Sequence, residues 1–238
     1  AMLLGRGLVH PVDQDHSQNP PSHPELLDLL TDEFARSGFD LRHRIREIAL
    51  SETYQLASQH PTAATGSGTL PAESAFAVAL LKPLSPAQFA WSVCEAVGEA
   101  EIQRASLGAK LTEEALHARL ASYENQFVSM FGGSPGQPVE ALEPTIDQSL
   151  WLAHNASVLH LLAPRARRAS ERALKLPADN PGAIAEELFL SIFARLPTPE
   201  EAEDVSNYLK DTSAEARTNA MKELIWALIM SSEFRVVH

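Results

Sequence analysis

The chain has 238 residues, of which 45% are hydrophobic and 21% charged, so it can bury a core and is not a disordered polyelectrolyte. Nineteen Lys and Arg against 31 Asp and Glu give a net charge of −12, a balance that repels phosphate backbones and argues against a nucleic-acid partner. The single cysteine excludes an intrachain disulfide and a thiolate zinc site, and no apolar run approaches the ~20 residues that membrane insertion of a helix needs.

In chain order, residues 3–18 read as a lead-in in which Gly5 and Gly7 oppose a helix. Ser22 and Glu25 have the spacing of a capping box, and Pro24 falls in the first turn, where its missing N–H costs nothing. Leu26, Leu27, Leu30 and Phe34 then recur at three- and four-residue steps, which predicts one apolar helix face. After Gly38, Asp40 is placed to cap a second helix whose buried face is Leu41, Ile45, Ile48 and Ala49. Arg46, near Asp40 and Glu47, is the expected ion-pair residue tying the two helices, and Ser51 opens a short third turn carrying Tyr54 and Leu56. This helical corner holds the sharpest local signals of the chain.

Residues 59–70, rich in Gly, Ser and Thr, predict a loop. Ser85 with Pro86 starts a helix that buries Phe89, Val93, Ala96 and Val97 and stops at Gly98; a short helix follows over 100–107. Cys94, at i+4 from Ala90, belongs to the same apolar face and reads as a small core residue. Thr112 caps a long helix over 113–131, with Leu116, Leu120, Tyr123, Phe127 and Met130 inward, and the Gly- and Pro-rich run 132–138 breaks the chain. Thr145 and Asn155 begin two more helices, the second stopped by Pro164. Arg165, Arg168, Arg172 and Lys175 recur at near-helical spacing, with Arg167 beside them, and predict a solvated basic face. Asn180-Pro181 and Thr198-Pro199 are further starts; the last helix, from about Ser213, contains seven consecutive apolar residues, 224–230, and is expected to be wrapped on most sides. Together these elements predict an all-α, single-domain, non-repetitive helical bundle over 1–238, of about eight to ten helices at ordinary helix lengths.

Three stretches resemble one family. GRGLVHPVD (5–13) with NPPSHPELLD (19–28) and SETYQLAS (51–58), then ARLPTPEE (194–201), then WALIMSSEF (226–234) with His238 are similar to the planctomycete domain of unknown function fifteen-fifty-three, whereas the middle, about 60–140, departs from it. Gln14 stands where many members have Asp, and Met230 and Val237 where Asn is usual, so any polar site built on those positions would be incomplete here. The resemblance implies an extracytoplasmic setting at the C-terminal end of a longer exported protein, with other domains of that protein, a cytochrome-c-type haem domain among them, as partners. An opening Ala1-Met2 and the lack of the family's preceding Asn-Arg-x-Trp-type helix fit an excised piece of such a protein. It implies no assigned activity.

No catalytic set is assigned, and no cofactor is expected. The one clustered candidate for a metal is His10, Asp13, Asp15 and His16, with His23 nearby: imidazoles and carboxylates close in sequence let a loop wrap zinc, manganese or iron. No fixed-spacing metal motif such as HExxH accompanies it, and the plainer reading, adopted as the expectation, is a polar lead-in without metal. His154 and His160 are expected as hydrogen-bonded core residues, and Trp91, Trp151 and Trp226 as core rather than a sugar platform, a reading that one of the three exposed beside a groove would reverse. The expected function is a non-catalytic accessory or interaction module; the alternative is a hydrolase-type domain acting on an extracytoplasmic polymer through the His/Asp lead-in.

Overall fold

The computed structural model describes residues 3–11, 16–58, 71–132, 145–210, 212–213 and 215–237. Eleven α-helices carry the described chain, and its strands are two segments of two residues, Lys82–Pro83 and Val236–Val237, so the protein is all-α as the periodicity predicts. The chain divides into two compact units, residues 1–82 with 237–238, and residues 83–236.

In the first unit α1 (Pro24–Arg36) follows His23 as N-cap, and no side chain caps it. The predicted Ser22 capping box does not form. Both the amide and the hydroxyl of Ser22 donate to the Leu8 carbonyl, at 2.7 and 3.1 Å, so a tertiary acceptor in the lead-in takes the serine away from the helix start. α2 (Leu41–Leu50) begins as expected, with the Asp40 carboxylate accepting the His43 N–H at 3.0 Å. The residue that ties α2 to α1 is Arg44 rather than Arg46: its guanidinium donates to the Leu30 carbonyl at 2.9 Å and lies 5.9 Å from the centre of the Phe34 ring. The lead-in is held by Lys82, whose ammonium donates to the Leu3 carbonyl at 2.7 Å, and by the Arg6–Glu73 pair at 3.3 Å.

The second unit contains α3 (Pro86–Ala96), α4 (Glu99–Leu107), α5 (Glu113–Phe131), α6 (Ile146–His154), α7 (Ala156–Leu162), α8 (Ala169–Lys175), α9 (Pro181–Phe193), α10 (Pro199–Lys210) and α11 (Arg217–Met230). Most of its starts are the predicted ones; the last helix, expected from about Ser213, begins at Arg217. Ser85 and Gln88 form a reciprocal capping box, Thr145 and Gln148 another, and Thr112, Asn155 and Asn180 each accept first-turn amides. α3 packs on α5, α9 on α10, and α8 on both α9 and α11, around buried Phe89, Val93, Leu120, Leu161, Leu188 and Met221. α11 starts at Arg217 and is less enclosed than its composition suggests: Met221, Ile225 and Ile229 are buried, while Glu223 and Ala227 face solvent.

At the centre of this unit is a charge pair. Glu99 and Arg168 are 2% and 1% exposed, and the Arg168 Nη2 and Nε donate to Glu99 Oε2 at 2.6 and 3.2 Å. The other guanidinium nitrogen donates to the carbonyls of His160 and Ala163 at the end of α7, and Gln103 donates to the free Glu99 oxygen at 2.8 Å. Gly98 sets the approach. It has φ +86°, and a Cβ there would lie 2.7 Å from the Arg167 carbonyl oxygen, so only glycine lets the α3–α4 turn close on this backbone. The contact is fixed by the Ala169 N–H donating to the Val97 carbonyl at 3.0 Å.

The predicted solvated basic face holds for Arg165, Arg167 and Lys175, which are exposed, and is corrected for Arg168, which is buried. α8 is only seven residues long, Arg168 is its buried N-cap, and all five basic residues face carboxylates: Arg165 and Arg168 toward Glu99, Arg167 toward Glu101, Arg172 toward Glu187 and Lys175 toward Glu171. Removing one member of a buried pair strands the other charge, which costs roughly 3–5 kcal/mol, whereas replacing both by apolar groups is often neutral. Arg168→Met alone is therefore expected to lower the unfolding free energy in urea titrations by about that amount. Adding Glu99→Leu is expected to recover most of the loss.

Candidate interaction surface

Nothing in the described part of the first unit is fully buried. Leu27, Leu30 and Phe34 of α1 and Ile48 and Ala49 of α2 are half-covered, but Leu26, Leu29, Ile45 and Leu50 are exposed, and Leu41 and Phe39 are 62% and 69% exposed. The predicted inner face of α2 is thus half outside, which corrects the expectation that Leu41 and Ile45 are buried. Covering a large apolar side chain completely is worth roughly 1.5–3 kcal/mol, so this corner carries several kcal/mol of unrealised burial. Charge is segregated across it: α1 carries Glu25, Asp28, Asp32 and Glu33 against Arg36, and α2 carries Arg42, Arg44 and Arg46 against Glu47. Arg36 is occupied by Asp32 at 3.5 Å and by Glu33.

The candidate metal residues do not form a set that can be assembled from the described residues. His10 and His16 are exposed, and the His16 Nδ1 accepts the Gln18 N–H at 3.1 Å. His23 sits against Ser22 Oγ at 3.1 Å and tilts toward the Phe76 ring at 5.8 Å. Asp13 and Asp15 lie outside the described residues. Among the described residues no group of three or more His, Cys, Asp or Glu is placed to hold a metal ion. His154 and His160 are exposed at the ends of α6 and α7 and are not core histidines. Trp91, Trp151 and Trp226 are all half-buried; the Trp91 N–H donates to Glu124 at 2.8 Å, while Trp226 lines a groove.

Cys94 is buried, and burial first, then the nearby Glu99 and Glu95 charges, push its thiol up to about 12. It stays protonated at neutral pH and is a packing residue, as its place on α3 predicts. Burial alone would raise Glu99, but hydrogen bonds from Arg168 and Gln103 and the charges of Arg168 and Arg165 outweigh it and hold the carboxyl below its ordinary value.

A second charge cluster joins stretches that local sequence keeps apart. Arg195 forks two carboxylates: its nitrogens donate to Glu201 at 2.7 and 2.8 Å and to Glu233 at 2.7 Å twice. Its guanidinium also lies 5.3 and 5.4 Å from the centres of the Phe189 and Phe193 rings. Glu201 in turn accepts the Thr198 N–H at 2.7 Å, and Thr198 Oγ1 accepts the Glu201 N–H at 3.3 Å, a capping box that starts α10. Arg195 and Glu201 lie in ARLPTPEE and Glu233 in WALIMSSEF, so these two motifs meet in one structural clamp. Sequence periodicity carries no signal for the Arg195–Glu233 half, whose partners are 38 residues apart.

The family model for PSD1, protein of unknown function (DUF1553), matches residues 1–126, a little over half of the 238. The chain belongs to this family. The DUF1553 match contains the whole helical corner, α3, α4 and most of α5, and it runs through residues 60–126, where motifs alone show little likeness. The ARLPTPEE and WALIMSSEF stretches lie beyond it. No curated protein and no solved structure matches the chain.

The Arg195 clamp gives a pH signature. Hydrogen bonds from Arg195 first, and the Thr198 N–H with it, lower Glu201 from 4.5 to about 2. A carboxyl lowered on folding stabilises fully above its unfolded value and loses that contribution as pH falls through its folded value. Stability supplied by Glu201 is thus present above about pH 4.5 and is lost progressively toward pH 2. The pair is partly solvent-facing, so its worth is about 1 kcal/mol. Glu201→Gln, which keeps an acceptor for the Thr198 cap, is expected to flatten the stability–pH curve by that amount between those two pH values in thermal melts, with no effect on its shape above pH 5.

Proposed function

We propose that the chain is a non-catalytic interaction module that docks a protein partner through the α1–α2 corner. One observation carries this reading: Leu26, Leu29, Phe39, Leu41, Ile45 and Leu50 stay exposed on the corner, while residues 83–236 bury a full core of their own. Exposed apolar side chains gathered on one short pair of helices are the usual mark of a surface that is covered in the working assembly. The partner belongs to the same exported multidomain protein, either a neighbouring domain or a haem domain, and acts outside the cytoplasm. The acid–base division between α1 and α2 supplies the orientation of docking, since complementary charge fixes register more than affinity.

Site-specific photo-crosslinking in the native cell tests this. A photoreactive phenylalanine analogue placed at Leu29 and at Phe39 of the full-length parent protein is expected to give crosslinked peptides to one and the same neighbouring domain, identified by mass spectrometry. The analogue at the exposed Glu203 on α10 is expected to give none. Leu41→Asp should abolish the corner adducts. Equal or absent crosslinking at all three positions would refute the corner as the docking surface.

A further inference from the structure

Helices α6, α7 and α11 border a groove of about 380 Å³, the size of a small-molecule site. Ala153, Leu159, Leu162 and Trp226 form its apolar lining. Lys222 and Glu223, four and three residues before the tryptophan on α11, bring an ammonium and a carboxylate to the same groove. The two charges differ in what they already hold. Glu223 accepts the Tyr208 hydroxyl, and that bond, with burial, raises the phenol above its ordinary value. The Lys222 ammonium makes no ion pair or side-chain hydrogen bond among the described residues. The Trp226 N–H is buried without an acceptor among the described residues, unlike that of Trp91.

We propose that this groove binds a small amphipathic carboxylate, with its acyl or aryl body against Trp226, Leu159 and Leu162 and its carboxylate on the Lys222 ammonium. The lining decides between this ligand and a sugar. A pyranose needs hydrogen-bonding groups around its ring, whereas here the α6 and α7 sides offer only aliphatic side chains, and the polar side chains, Asn219, Lys222 and Glu223, all come from α11. The chain's net charge of −12 opposes an anion at long range, but at physiological ionic strength that field is screened beyond about 8 Å, leaving the contact ammonium to act locally.

The test uses the full chain and three probes: decanoate, decanol and maltose, followed by calorimetry and tryptophan fluorescence. Decanoate is expected to bind at one saturable site and to shift a fluorescence signal that disappears in Trp226→Phe. Decanol is expected to bind at least tenfold more weakly, and Lys222→Met to reduce decanoate binding by a similar factor with an unchanged melting temperature. Ala153→Phe, which fills the groove, should remove binding of both. The assignment is overturned if decanol binds as tightly as decanoate, if Lys222→Met leaves decanoate binding unchanged, if maltose alone binds, or if none of the three binds at millimolar concentration. The decanoate–decanol comparison needs no variant, so it decides the matter even if a substitution fails to fold.

Discussion

One ion pair organises the larger unit. A guanidinium and a carboxylate withdrawn from water each carry a desolvation penalty of several kcal/mol, and only dense, well-directed hydrogen bonding offsets it. Arg168 and Glu99 meet that demand by recruiting the groups around them: the His160 carbonyl of α7 and the Ala163 carbonyl just past it for the remaining guanidinium nitrogen, Gln103 for the remaining carboxylate oxygen, and a glycine turn that lets two backbones touch. Each of those requirements fixes an element. The end of α7, the start of α8 and the start of α4 have to converge on one point, and the apolar packing of α3, α5, α9 and α11 is built around that convergence.

The Arg195 clamp does at the other end what Arg168 does in the core. It gathers the start of α10 and the segment after α11 around one guanidinium, under which two phenylalanines lie. In both clamps every carboxylate accepts from the arginine at its centre. The contrast with residues 1–82 is physical. There the contacts among the described residues are scattered hydrogen bonds and ion pairs, such as Ser22 to Leu8, Arg44 to Leu30 and Arg6 to Glu73, around side chains none of which is fully buried. Incomplete burial of that kind realises less hydrophobic stabilisation per residue than the buried core of residues 83–236.

Helix starts were readable because a cap acts over three residues: Asp40, Ser85, Thr112, Asn155 and Asn180 all hold the amides their spacing predicts. Ser22 breaks the rule because an acceptor 14 residues away competes for the same serine. The basic run misleads for a related reason. Helical spacing says which residues share a face but not what the face meets, and Arg168 meets a carboxylate 69 positions earlier. Arg44 replaces Arg46 as the tie of the corner because Leu30 lies across from it, a fact of packing and not of periodicity. The groove was invisible for the same reason, since Ala153 and Leu162 come to Trp226 only through the packing of α7 on α11.

The central claim is that the chain joins a self-sufficient helical unit to a corner whose apolar face lacks cover. Native-state hydrogen exchange with mass spectrometric readout measures this segment by segment, because local opening and global unfolding separate by free energy. Amides of α3, α5 and α9 are predicted to exchange only with global unfolding, and those of α1 and α2 through local openings far below it. If α1 and α2 exchange with the same free energy as α5, the corner is as firmly held as the core, and the account of it as an uncovered docking surface is wrong.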